Sequence, residues 1–221
     1  MISDRPDSMN LEKREMAEEK IAKGTTTIGI TTEDSVVLAT ERRASMGNLV
    51  ASKTAKKIYQ INDNAAMTIS GGVGDGQSLA KTLKVESNLY ETRRGKEMTM
   101  TGLASMAGNI MRYSFFLVLP ILGGVDDEGP HVFSLDFSGG VMEEDYLSTG
   151  SGSVMAYGVL EDNYRDDLTL EEAKNISIRA LRSAMERDVA SGNGFLLATI
   201  TPEEGFKQLE TEEIDRILEE L

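Results

Sequence analysis

The sequence predicts an α+β domain: a core of two antiparallel sheets with helices layered outside it. Three observations carry this expectation. Strand-like segments come in blocks, the hydrophobic period switches cleanly to a helical one beyond Gly71-Gly72, and helices then come in pairs. The resulting order is strands, two helices, strands, two helices and a strand, whereas a parallel α/β sheet would interleave them one by one.

The leader, residues 1–24, is polar, with Leu11, Met16 and Ile21 at loosely helical spacing, and is expected to form a marginal helix or to stay disordered. Thr25 to Thr32 alternates and reaches a turn at Glu33-Asp34-Ser35. Val36-Val37-Leu38-Ala39-Thr40 then reads as a buried strand returning antiparallel. Arg42 to Lys56 is mixed and reads as a loop, with Gly47-Asn48 as a turn signal. Lys57–Ile61 and Ala65–Ser70 make a second strand pair around Asn62-Asp63-Asn64.

Leu79, Leu83, Val85, Leu89 and Tyr90 fit a helix stopping near Gly95, and a second helix is expected from about Met100 to Phe116. Strands resume at Ile121–Val125 and Val132–Asp136 around the turn Asp126-Asp127-Glu128-Gly129. A short strand near Asp145 to Leu147 leads to Thr149-Gly150-Ser151-Gly152-Ser153 and a helical stretch to about Asn163. Thr169-x-x-Glu172 is a capping box opening an amphipathic helix expected to end near Ser191-Gly192, followed by the strand Phe195–Ile200.

Composition excludes whole classes of function. The 221 residues suffice for one domain with a substantial core, and no run approaches the length of a membrane span. The charged leader has no apolar secretory core. There are no cysteines, which removes disulfides and thiolate chemistry and makes a reducing cytoplasm the simplest location. The single histidine, His131, removes histidine triads and multi-histidine metal sites, and reads as a surface or strand-end residue. Neither metal nor cofactor is expected. A net charge of −14 argues against nucleic acid and anionic membrane surfaces; six of the acids fall in Glu210 to Leu221, on a solvated helix face.

The chemistry-bearing stretch is Gly24-Thr25-Thr26-Thr27. An internal threonine hydroxyl is a poor nucleophile. Cleavage between Gly24 and Thr25 would give Thr25 a free α-amine, with a reference pKa of about 8, beside its own hydroxyl. Nucleophile and base would then share one residue.

Several segments together resemble the β subunit of the archaeal 20S proteasome, an N-terminal nucleophile hydrolase. They are Gly24-Thr25-Thr26-Thr27, Ala39-Thr40-Glu41-Arg42-Arg43-Ala44, Lys56-Lys57-Ile58, Ser70-Gly71-Gly72-Val73, Leu122-Gly123-Gly124-Val125-Asp126, Gly150-Ser151-Gly152-Ser153, Ala156-Tyr157-Gly158-Val159-Leu160-Glu161 and Arg187-Asp188-x-x-Ser191-Gly192. Each is weak alone; their order and spacing from Gly24 onward are specific.

The resemblance implies a four-layer αββα sandwich, with residues 1–24 as a propeptide and 25–221 as the catalytic domain. Thr25 would be the nucleophile, released by self-cleavage after Gly24. The family's acidic partner falls at Glu41, where many relatives carry aspartate, and its essential lysine at Lys57. Ser151, Asp188 and Ser191 match the residues that orient the amine, and Gly71 the oxyanion-binding amide. Chemically, a lysine ammonium beside Thr25 would favour deprotonation of hydroxyl and amine, while Glu41 would compensate that charge away from water. The positions lining the family's first specificity pocket fall at Ala44, Ala55, Ile69 and Val73. All are uncharged and small or aliphatic, which implies chymotrypsin-like cleavage after apolar residues. The implied partners are proteasome α subunits and other β subunits in stacked seven-membered rings, a regulatory ATPase acting through the α ring, and unfolded protein substrates. Two alternatives stand beside this reading: a bacterial-type proteasome-related peptidase paired with a hexameric ATPase, and a catalytically silent ring subunit.

Overall fold

Thr26–Thr31 forms strand β1, and all six of its residues are buried because its sheet is covered on both faces. The computed structural model describes residues 24–114 and 116–221; the expectation of a marginal helix in the leader lies outside them. β1 pairs antiparallel with β2 (Val36–Glu41) on one side and β10 (Tyr146–Gly150) on the other. With β11 (Phe195–Thr201) and β12 (Gly205–Gln208) they make a five-stranded sheet in the order β10-β1-β2-β11-β12. The second five-stranded sheet has the order β5 (Ile58–Asn62), β6 (Ala65–Thr68), β7 (Ile121–Asp126), β8 (Gly129–Leu135) and β9 (Val141–Glu143).

Helices cover both outer faces. α1 (Val73–Arg94) and α2 (Met100–Ser114) pack through Leu79, Leu83, Leu103 and Met111 on Ile61, Met67 and Leu122 of the second sheet. α3 (Ser153–Asn163), α4 (Leu170–Arg187) and α5 (Thr211–Glu220) cover the first sheet, where Leu160, Ile178 and Leu181 meet Ile28, Ile30 and Val37. The strand period of two decides what lies between the sheets. Val37 and Ala39 face the helices, while Val36 and Leu38 face Ile58, Ile121 and Val132 of the opposite sheet. Gly29 lets the sheets approach closely: a Cβ there would stand 2.7 Å from Val132 and 2.9 Å from Ile121. The fold is the expected four-layer αββα sandwich.

Local signals behave as read in most places. Thr169 caps α4, its hydroxyl accepting from the Glu172 amide while the Glu172 carboxylate accepts from the Thr169 amide at 2.9 Å. Gly95 ends α1 in the left-handed region, with φ 68°. Three expectations need correction. Arg42 to Lys56 is not simply a loop, since Ala44–Met46 (β3) and Leu49–Ser52 (β4) pair as a hairpin turning at Gly47-Asn48. Its strands are short and largely exposed, so no core-facing alternation marks them. α4 ends at Arg187 rather than near Ser191, because the Asp188 carboxylate accepts from the Ala190 amide at 3.2 Å and competes with the helical pattern. The short outer strands β9 and β12 leave no sequence signature for a similar reason: each pairs along one side only and lies largely exposed.

His131 is the third correction, being mostly enclosed rather than a surface residue. Its Nδ1 lies 2.5 Å from Glu143 of β9, and its Nε2 lies 3.1 Å from Asp126. Asp126 also accepts from the Met100 amide at 2.7 Å, capping α2. Burial alone would lower the His131 pKa, but the Glu143 hydrogen bond and the two carboxylate charges outweigh it and lift the ring above its ordinary 6.5. Burial would likewise raise Asp126, but the Met100 and Glu128 amides and His131 hold it below 3.8. The charged cluster therefore stabilises the fold fully below pH 6.5 and loses that contribution as pH rises through the raised histidine value; on the acid side it weakens as pH falls through the lowered Asp126 value. The melting-temperature gap between wild type and His131→Gln is expected to be widest between about pH 4 and 6.5 and to shrink in alkali. A gap independent of pH would contradict this.

Candidate active site

The ends of five strands meet at one edge of the sandwich. Antiparallel register sets Thr27 opposite Thr40 and Thr26 opposite Gly150, so Thr26 comes beside Glu41 at the end of β2. The Thr26 amide leans 3.4 Å toward Glu41 Oε1. From the other sheet, Lys57 enters at the start of β5, next to the end of β6, whose extension at Ile69 donates its amide to the Lys57 carbonyl at 3.0 Å.

Lys57 Nζ donates to Thr25 Oγ1 at 2.9 Å and is ion-paired to Glu41 Oε1. Glu41 is 0% exposed and Lys57 3%. Such a carboxylate needs more than its cation. Its Oε2 accepts from the Arg43 amide at 2.6 Å and from the Gly192 amide at 3.0 Å. Burial pushes the Lys57 ammonium below its ordinary value; Glu41, with a smaller pull from Asp188, offsets only part of that.

A second group of residues approaches from the helix layer. Ser151, just before α3, and Ser191, just after α4, both donate to Asp188 Oδ2 at 2.6 Å. Ser151 Oγ lies 3.5 Å from the Thr25 carbonyl oxygen. Thr26 Oγ1 lies 2.7 Å from Ser191 Oγ, joining this group to the strand that carries Thr25. Gly150 and Gly152 make room for these approaches: a Cβ on the first would collide with the Thr25 carbonyl, and on the second with Thr26 Oγ1.

Gly71 lies three residues beyond the end of β6, with φ 105°, and bridges to Val118. The hydrogen bonds on either side run from the Leu119 amide to the Ser70 carbonyl and from the Gly72 amide to the Leu117 carbonyl, each 2.8 Å. Neither uses the Gly71 amide. Ser70 Oγ reaches to 3.3 Å from where a Gly150 Cβ would lie, so this turn borders the Thr25 carbonyl.

The peptide joining Gly24 to Thr25 is backbone-strained. Thr25 has φ 107° and Gly24 φ 135°. For a β-branched residue that region costs on the order of 1–3 kcal/mol.

The four specificity positions are less uniform. Ala44 and Ala55 are half-buried at the two feet of the β3–β4 hairpin, and the Ala55 amide donates to the Arg42 carbonyl at 2.9 Å. Val73, the first residue of α1, is 46% exposed. Ile69 is 3% exposed and packs over Gly76 into the core beneath α1, so it presents the least surface of the four.

Sequence reasoning passed over Thr26, Ser45 and Arg43 as site residues. Ser45 Oγ stands 2.9 Å from the Cβ position of Gly24. The Arg43 guanidinium donates to Asn193 Oδ1 at 2.8 Å and to the Val189 carbonyl at 2.6 Å, tying the β2–β3 link to the loop that holds Ser191. Their side-chain types carry no signal by themselves, and only the spatial meeting identifies them. Among the described residues, no group of three or more His, Cys, Asp or Glu is arranged to hold a metal ion.

A family model described as "Proteasome subunit" matches residues 21–200. The chain is also similar to curated proteins called "Proteasome subunit beta". It is 52% identical to that of Methanothermobacter thermautotrophicus over 93% of this chain and 100% of the relative. It is 50% identical to that of Archaeoglobus fulgidus over 92% of this chain and 97% of the relative. With the relative from Haloquadratum walsbyi the identity is 42%, over 98% of this chain and 97% of the relative.

Proposed function

The chain belongs to the proteasome subunit family, and from that premise we propose that it is a catalytic β subunit of a 20S-type core, a threonine-type endopeptidase made as a precursor and matured by its own cleavage at Gly24–Thr25. The observation that carries this reading is the contact of Lys57 Nζ with Thr25 Oγ1 at 2.9 Å, with Glu41 behind the lysine. Such a cluster has no need of histidine.

In the precursor, the Thr25 nitrogen is still a peptide amide. Thr25 Oγ attacks the Gly24 carbonyl carbon as its proton passes to the neutral fraction of Lys57, which the lowered pKa enlarges. The Gly71 amide receives the oxyanion. Collapse breaks the bond between Gly24 and Thr25, and the threonine nitrogen takes the proton back, leaving the leader as an ester on Oγ and a free α-amine. Water then hydrolyses the ester. Cleavage also frees Thr25 from the strained φ, which favours scission at this bond over its neighbours. In the mature enzyme the same hydroxyl attacks substrate, and the new amine, oriented by Ser151 and the Asp188–Ser191 pair, shares the proton traffic.

The proposed pocket positions, Ala44, Ala55, Ile69 and Val73, are all uncharged, so a charged side chain desolvated there would be a poor fit. Chymotrypsin-like cleavage is therefore proposed. Proteasome α subunits, further β subunits, a regulatory ATPase and unfolded proteins are the proposed partners, with the cytoplasm as the place of action. None of the described helices is long and apolar enough to cross a membrane.

N-terminal sequencing of assembled protein is expected to return Thr25 as the first residue, and fluorogenic peptides ending in leucine or tyrosine are expected to be cut at least about tenfold faster than those ending in arginine or glutamate. A retained leader in active material would defeat the maturation scheme, and faster cleavage after charged residues would defeat the specificity.

A further inference from the structure

We propose that Thr26, the residue after the nucleophile, is a positioning residue whose hydroxyl holds the Asp188 group in register with Thr25. The proposal rests on the reading of Thr25 as nucleophile and extends it to a side chain that touches no reacting atom.

The alternation of β1 makes Thr26 suited to this. Thr25 reaches across to Lys57 of the opposite sheet. Thr26, one residue on, shares the helix-facing side of the strand with Ile28 and Ile30. That side carries the ends of α3 and α4, and therefore Ser151, Asp188 and Ser191. Thr26 is 0% exposed, and its hydroxyl is pressed against Gly152, where any Cβ would collide with it.

The direction of the hydrogen bonds follows from proton counting. Ser191 has one hydroxyl proton, and it goes to Asp188 Oδ2 at 2.6 Å. In the 2.7 Å contact between Thr26 Oγ1 and Ser191 Oγ, Thr26 is thus the donor. The chain runs from Thr26 to Ser191 to Asp188, and Ser151 donates to the same carboxylate oxygen from the other side while its Oγ lies 3.5 Å from the Thr25 carbonyl. Asp188 is thereby tied to the nucleophile strand through Ser191 and Thr26, while Ser151, whose one proton goes to Asp188, lies near the Thr25 carbonyl without donating to it. Without the Thr26 hydroxyl, Ser191 keeps its bond to Asp188 but loses the donor that fixes its Oγ against β1, so the side-chain link between the nucleophile strand and the carboxylate that orients the new α-amine is broken.

The test uses full-length chain matured and assembled with its partners, comparing wild type, Thr26→Val, Thr26→Ser and Thr25→Ala. Thr26→Val keeps the shape and removes the donor; kcat is expected to fall about tenfold with KM within about twofold. The acid limb of kcat/KM against pH, set by the α-amine, is expected to shift by roughly half a unit or more. Thr26→Ser restores both. Wild-type kcat and acid limb in Thr26→Val would overturn the proposal. So would a loss of activity in Thr26→Val with an unmoved acid limb, or one that Thr26→Ser fails to rescue, since either marks a purely structural role. Peptidase activity that survives Thr25→Ala would instead overturn the parent reading, and this one with it; activity abolished by Thr25→Ala but unmoved by Thr26→Val overturns only the role given to Thr26.

Discussion

Thr25→Ala is expected to leave the leader attached and to lower peptide hydrolysis by at least about 10³-fold, because it deletes the proposed nucleophile of both reactions. Intact mass of the assembled protein reads the first effect and a fluorogenic peptide the second. Thr25→Ser keeps the hydroxyl and is expected to process at the same bond. Supplying the chain without residues 1–24 separates the two roles. Activity returns when it begins with threonine and stays absent when it begins with alanine. Efficient leader removal in Thr25→Ala would mean that another agent cuts the precursor.

Lys57→Met is expected to damage both stability and chemistry, and for different reasons. Glu41 is 0% exposed, and removing its cation leaves a buried carboxylate supported mainly by the Arg43 and Gly192 amides. Breaking such a pair costs about 3–5 kcal/mol. For a domain of this size that lowers the apparent melting temperature by roughly 6–20 °C. Peptidase activity is expected to fall at least about 10³-fold, since among the described residues Lys57 is the side-chain amine that hydrogen-bonds Thr25 Oγ1. Adding Glu41→Gln removes the charge and keeps one acceptor oxygen for the Arg43 and Gly192 amides, so the double variant is expected to regain much of the lost stability but none of the activity. A double variant that regained activity would show that Lys57 serves only as a counter-charge.

Much of the fold was legible because its signals are local. The Thr169 capping box, the glycine stop at Gly95, the turn at Asp126–Gly129 and the switch of period after Gly72 each act within a few residues. The β3–β4 hairpin and the outer strands β9 and β12 were not legible. Each pairs with its sequence neighbour, but these strands are short and largely exposed, so burial imposes no alternation on them. The end of α4 was misplaced because the apolar stripe says nothing of Asp188 turning its carboxylate onto Ala190, Ser191 and Ser151.

The sequence by itself determined the family and the candidate site residues. With no cysteine and a single histidine, cysteine catalysis and histidine triads are excluded, and the resemblance carried by the motif order singles out Thr25, Glu41 and Lys57. Only the tertiary structure decided how those residues are held. Strand alternation sends Thr25 toward one sheet and Thr26 toward the helices, so the lysine pair and the Asp188 group meet the nucleophile strand from opposite faces. That division depends on two sheets and two helix ends converging on one strand terminus, contacts spanning up to 165 residues that no local pattern encodes.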